Sequence, residues 1–231
     1  FALVQSDAAQ LLYDGWVEKQ VLPSVDLRAV ASLWPEAVHL VTLNGSGIES
    51  ISDLKGRRLA IGLRGSGTRL NALVLGLEAG LGEDVNLQIL EIGRERSIAL
   101  LERGEIDALF LTEAVPAPSL QRLAHRRKDI KLVPIDGVLV EQLSERFFPY
   151  YPLVVKARTY PGQERDYVTL GLTAVLMTNQ HVVDEKVLGM LELLHQGVDE
   201  LSKTYYRAAF ITRETMHMGV AVPLHPAARQ F

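Results

Sequence analysis

Between residues 57 and 136, short apolar runs alternate with longer amphipathic stretches, and glycine or proline stands at most of the junctions. RRLAIGL, VNLQIL, IDALFL and IKLVPI read as strands. The stretch from RGSGTR to about Gly80, RSIALLERG ending at Gly104, and PAPSLQRLAHRR opening at Pro116 read as helices. Glycine past a helix end and proline in a first turn are the expected punctuation. Strand–helix alternation of this kind is satisfied by a sheet with helices laid over it. The fold class predicted is therefore α/β, with mostly parallel sheets and flanking helices. A hydrophobic content of 48% against 23% charged residues is enough to bury the core that such layers need.

The flanking segments read differently. FALVQSDAAQLLYDG predicts a strand, a helix started by Ser-Asp, and a stop at Gly15. LRAVASL and EAVHLVTL predict two strands separated by Trp34-Pro35, and NGSGIESISDLKGRR a turn and one short helix. Beyond residue 136, VLVEQLSERFF is helical, YPLVVKA extended and RDYVTLGLTAVLMTN a long β-rich run; helices follow to the end. Met190, Leu193, Leu194 and Val198 fall at helical spacing and predict a core face. AVHLVTLNGSG and TYPGQERDYVTLGL each join an apolar strand to turn residues. Two such transits are what one lobe inserted into another requires, with a ligand cleft that closes by hinging.

The totals exclude several functions. A net charge of −4 and a pI near 5.9 argue against nucleic acid as the main partner. The one basic run, His125-Arg126-Arg127-Lys128, reads as a solvated helix end. With no cysteine there is no disulfide, thiol nucleophile or Cys-zinc site, and both reducing and oxidising compartments stay open. The longest apolar run, near LGLTAVLM, is too short to cross a membrane. His39, His125, His181, His195, His217 and His225 form no HExxH or other ligand spacing, so no metal site is expected.

The motif with chemistry in it is AIGLRGSGTRLNAL, residues 60–73. Strand, glycine turn and helix leave backbone N–H groups unpaired at a helix start. Gly65 and Gly67 allow a tight bend and close approach. Ser66 and Thr68 bring hydroxyls that can cap the helix or touch a ligand. The helix dipole and the charges of Arg64 and Arg69 favour an anion there. Two readings stand side by side: a cradle for a carboxylate or phosphate, and an ordinary capped helix whose arginines pair with nearby glutamates. The loop lacks the Gly-Lys-Ser/Thr ending of a Walker A motif, and no G-x-S-x-G elbow is present.

VQSDAAQLLYDG, LRAVASLWPEAVHLVTL, GIESISDLKGRRLAIGLRGSGTRLNA, GEIDALFLTEAVPAPSL, TYPGQERDYVTLGLTAVLMT and VPLHPAARQF run in one order along the whole chain. In this the sequence resembles the TAXI family of extracytoplasmic solute receptors, the binding subunits of TRAP-type transporters. The resemblance implies a two-lobed type II periplasmic-binding-protein (Venus-flytrap) fold. Lobe 1 would comprise residues 1–44 and 137–231, and lobe 2 the inserted residues 45–136. Chains of that family begin earlier, so the N-terminal part of lobe 1 is expected to be missing, by trimming or as a natural short form.

The resemblance further implies a small carboxylate ligand, a glutamate-like amino acid or a dicarboxylate, bound between the lobes. Gly65, Ser66, Gly67 and Thr68 would hold the carboxylate, with Arg64 beside them. Gln5 and Ser6 would face the cleft from lobe 1, although Ser6 or Asp7 also suits a helix cap. Ala114 and Val115, in the TEAVPAP turn, would form the lobe 2 rim with Glu113 and Pro116. Thr159 and Tyr160 would wall the pocket, with aromatic packing around a hinge as the other reading. The expected partners are this ligand and membrane transporter subunits, in the periplasm, with no cofactor, no nucleic acid and no membrane insertion of the chain itself. Two alternatives compete: a ligand-sensing domain of a larger membrane-tethered or signalling protein, and a phosphoribosyltransferase-like enzyme using the GSGT turn on a phosphate.

Overall fold

The computed structural model describes residues 1–15, 22–81 and 87–231. Two compact units result: residues 1–35 with 172–231, and residues 36–171. Both limits fall inside long strands, β2 (Leu27–Leu43) and β8 (Tyr167–Asn179), whereas the lobe limits expected from sequence sit at turns near residues 44 and 136. A boundary inside a continuous apolar strand leaves no mark in composition.

The unit of residues 36–171 is the α/β body. Its strands are the second half of β2, β3 (Arg58–Ala60), β4 (Gln88–Leu90), β5 (Ala108–Ala114), β6 (Ile130–Val133), β7 (Tyr151–Val155) and the first residues of β8. β3 lies between β4 and β5 and is parallel to both. Three further pairs run antiparallel: β2 with β5, β2 with β6, and β7 with β8. The sheet is thus mixed rather than mostly parallel. Parallel order is confined to the strands joined through α2 (Gly67–Glu78) and α3 (Arg94–Glu102), because only a crossover helix returns the chain in the same direction. The core joins Ala37, Val41 and Leu109 of the sheet to Ile98 and Leu101 of α3 and to Leu120 and Leu123 of α4 (Pro118–Arg126). Pro118, not Pro116, occupies the first turn of α4. Asp136 caps α5 (Gly137–Arg146) through the Val138 and Leu139 N–H groups.

In the other unit, β1 (Ala2–Gln5) pairs antiparallel with the second half of β8, Ala2 opposite Met177. It leads into α1 (Ser6–Asp14), which ends at Gly15 as expected. β2 runs unbroken through Trp34-Pro35 as one strand of 17 residues where sequence predicted two. A proline is tolerated where its missing N–H faces away from the ladder. α6 (Asp184–Thr204) packs through Val187 and Leu191 on Val30, Leu33, Ala174 and Leu176, with α7 (Pro226–Gln230) closing the same cluster. Met190, Leu194 and Val198 contribute from the flank of α6, but Leu193 points outward at 70% exposure. The stripe expected from the apolar spacing thus holds at Met190, Leu194 and Val198 and fails at Leu193 alone.

The VNLQIL strand begins at residue 85, and residues 85 and 86 lie outside the described residues. The predicted short helix is the 3-10 turn Ile51–Leu54, closed by a capping box between Ser50 and Asp53.

Candidate functional site

β3, β4 and β5 end at Ala60, Leu90 and Ala114, and because they are parallel these three carboxyl ends share one edge. α2 and α3 begin at the same edge, and both pack on β5. Open α/β sheets bind ligands at this end, where helix N-termini and strand C-termini converge.

The GSGT turn occupies the β3–α2 junction. Gly62 (φ 94°) and Gly65 (φ 78°) take the left-handed backbone, while Gly67 is the first residue of α2 and makes no bend. Ser66 is the N-cap. Its hydroxyl accepts the Arg69 N–H at 3.2 Å and donates to the Leu63 carbonyl at 2.7 Å. Thr68 turns inward and accepts the Thr112 N–H of β5 at 3.2 Å. The capping reading therefore holds for Ser66, and Thr68 fastens the helix to the sheet.

The arginines of the turn share a partner that the sequence reading did not identify. Arg69 donates to Oε1 of Glu91 at 2.6 Å, and Arg64 is ion-paired with Oε2 of the same carboxylate. Arg64 and Arg69, in that order, hold the Glu91 carboxyl below its usual range by hydrogen bonding. The Arg64 side chain is 85% exposed, so this pair lies at the mouth of the edge. A second clamp sits beside it. Arg94, at the start of α3, donates to Glu113 at 2.6 Å, and Ser119 donates to the other Glu113 oxygen at 2.9 Å. Glu113, expected on the rim, is 9% exposed and already carries these two bonds. The only signal for Glu91 in the sequence is a carboxylate directly after the VNLQIL strand.

The other expected site residues are dispersed. Ala114 is buried at the end of β5, and Val115 packs partly buried on the same core as Tyr160. The Tyr160 hydroxyl accepts the Ala117 N–H at 2.8 Å, and its ring is 3% exposed. Thr159 donates to the Lys156 carbonyl. Gln5 and Ser6 belong to the other unit. Gln5 is the N-cap residue of α1, and Ser6 is fully buried, its hydroxyl accepting the Thr173 N–H at 3.1 Å.

One polar feature was missed altogether. His39 of β2 is fully buried, with Nδ1 2.6 Å from the Tyr167 hydroxyl and its ring edge-on to Tyr160. Burial pushes the Tyr167 hydroxyl well above its usual range and keeps it protonated. Tyr160 and Tyr167 also back a surface cleft of about 460 Å³ beside β6, rimmed by Asn44, Lys131 and Arg165, which does not include the GSGT turn.

Arg126 and Arg127 of the basic run pair with Glu102 and Asp129, as a solvated helix end does. Among the described residues, no group of three or more His, Asp or Glu could hold a metal ion, and no helix is long and apolar enough to cross a membrane.

The chain matches the NMT1-like family over residues 1–231. Among solved structures it is similar to XAC2383 of Xanthomonas citri bound to chloride ion (14% identity, TM-score 0.54, 99% of this chain and 72% of that one). The same protein bound to ATP gives 14% identity and a TM-score of 0.53 over 99% of this chain and 73% of that one. The periplasmic aliphatic sulphonate binding protein SsuA of Escherichia coli gives 15% identity and a TM-score of 0.50 over 99% of this chain and 64% of that one. At these identities the likeness is one of fold. The chain spans between 64% and 73% of the length of these structures.

Proposed function

The chain belongs to the NMT1-like family, and on that basis we propose that it is a solute receptor that captures a small carboxylate at the GSGT turn without transforming it. The observation that carries this reading is the shared edge of β3, β4 and β5, where α2 and α3 begin and the Ser66–Thr68 turn is held by hydrogen bonds made within the same unit. A preorganised cradle of this kind binds an anion without first having to order itself. The finer reading is a TRAP-type receptor of the TAXI kind. It works in the periplasm, takes a glutamate-like amino acid or a dicarboxylate, and delivers it to membrane transporter subunits. The sulphonate binding protein is periplasmic by its name, and the same setting is proposed for this chain. Gly65, Ser66, Gly67 and Thr68 are the proposed ligand-contacting residues.

A thermal-shift screen tests it. The panel holds amino acids, C4–C5 dicarboxylates, 2-oxo acids and phosphoribosyl pyrophosphate. A ligand at a hundred times its Kd adds about 2.7 kcal/mol of stability. A shift with carboxylates that disappears in the Ser66→Ala/Thr68→Ala double variant is the expected result. A shift with the phosphate compound alone would replace the receptor by a phosphate-binding enzyme.

A further inference from the structure

Three arginines stand at the carboxyl edge of β3, β4 and β5, and each is matched by a carboxylate of the same unit: Arg64 and Arg69 by Glu91, Arg94 by Glu113. Glu91 is the pivotal group. Its two oxygens are divided between the two arginines that flank the GSGT turn, so a single carboxylate cancels charge from both sides of the cradle. The arrangement is built rather than incidental. Glu91 follows β4 directly, β4 is parallel to β3, and the Ile61 N–H donates to the Leu90 carbonyl, which holds the end of β4 against the start of the turn. Glu113 is fixed in the same way by Arg94 and Ser119.

We infer that Glu91 sets the charge of the ligand: it acts as a resident carboxylate that leaves the GSGT turn to hold one anionic group and disfavours a second. The ligand class is then a small molecule with one carboxylate and an uncharged far end, rather than a dicarboxylate. The inference rests on the small-carboxylate receptor reading above and departs from its finer form, because glutamate and a dicarboxylate each carry a second carboxylate. Its physical basis is a sum of charges. Arg64, Arg69 and Glu91 together carry one positive charge, which a single ligand carboxylate neutralises. A second anionic group would meet Glu91 itself. At an exposed edge, removing one charge a few ångströms from the ligand is worth roughly a factor of ten in affinity per ligand charge at low salt.

The test uses two isosteric pairs that differ in one charge, succinamate with succinate and L-asparagine with L-aspartate. Each is titrated calorimetrically into the full chain at low ionic strength. Wild type, Glu91→Gln and Arg64→Gln are compared, with a thermal melt for each. The neutral-ended member is expected to bind wild type more tightly. In Glu91→Gln the preference for the extra charge should rise about tenfold. In Arg64→Gln it should fall. The Arg64 side chain is 85% exposed, so that variant folds whatever Glu91→Gln does. Binding that persists with an unchanged preference in both variants overturns the role of Glu91 and leaves the receptor reading standing. Failure of all three proteins to bind any of the four compounds overturns the small-carboxylate reading, and the inference with it.

Discussion

The hydroxyl of Thr68 accepts the backbone N–H of Thr112 at 3.2 Å, which ties the first turn of α2 to β5 across 44 positions of sequence. The turn that presents Ser66 is thus held by the sheet as well as by its own cap. Thr68→Val keeps the shape and removes the acceptor. It is expected to cost about 1–2 kcal/mol, as the loss of a partly buried hydrogen bond does. Urea unfolding should show a lower midpoint with an unchanged slope. An altered slope would place the effect in the unfolded chain instead.

Gly62 and Gly65 both have positive φ, yet they should respond differently to alanine. A Cβ on Gly65 meets nothing within 4 Å, so Gly65→Ala pays only the backbone preference, about 1 kcal/mol. A Cβ on Gly62 would stand 2.8 Å from the Ser66 hydroxyl, at a φ of 94°. Gly62→Ala is expected to cost about 2–4 kcal/mol, combining strain with loss of the cap. Parallel thermal melts of the two variants check the order.

Asp107 accepts the Arg58 N–H at 2.7 Å and the Arg58 guanidinium at 2.7 and 3.2 Å. The Arg58 side chain, ahead of the backbone bond, holds its carboxyl below the usual range. A depressed folded-state pKa contributes stability that is complete above the unfolded value, near 4, and is lost as pH falls through the folded one. Asp107→Asn should therefore lower Tm at pH 7, by the equivalent of about 1–2 kcal/mol given that Arg58 is partly solvated. The gap to wild type should close as pH falls below the unfolded value, near 4. A gap independent of pH would assign the loss to packing.

The Tyr167 hydroxyl makes the opposite prediction at high pH. Folded Tyr167 stays protonated where an unfolded tyrosine ionises, near pH 10, so its contribution falls as pH rises beyond that point. Tyr167→Phe should cost about 1–3 kcal/mol at pH 7 through the lost bond to His39. It should also lose stability less steeply than wild type above about pH 10. Chemical denaturation at pH 7, 9 and 11 measures both.

The strand–turn–helix character of residues 58–78 was legible because every signal there is local: an apolar run, two glycines with positive φ, and a serine at the cap. What was not legible depends on strand order. Glu91 lies 22 and 27 positions from its two arginines, and only the parallel pairing of β3 with β4 brings them together. His39 reads as one more scattered histidine until β8 carries Tyr167 alongside it, 128 positions away. Trp34-Pro35 read as a break because proline interrupts a ladder on average, whereas β2 continues through it. The parallel sheet was over-predicted for a related reason: alternation reports that helices lie between strands, not which strands become neighbours.

The pairing of Ala2 with Met177 has a consequence for synthesis. Residues 36–171 form a continuous stretch of chain and can complete their contacts as soon as they emerge. The first strand, by contrast, has no partner until β8 has been made. At ordinary elongation rates that interval is ~10–30 s. Throughout it, β1 lacks its ladder partner and the Ser6 hydroxyl lacks the Thr173 N–H that it later accepts. Strand β1 is thus completed only once β8 has been made, and until then its backbone hydrogen-bonding groups are open to any factor that binds a single strand.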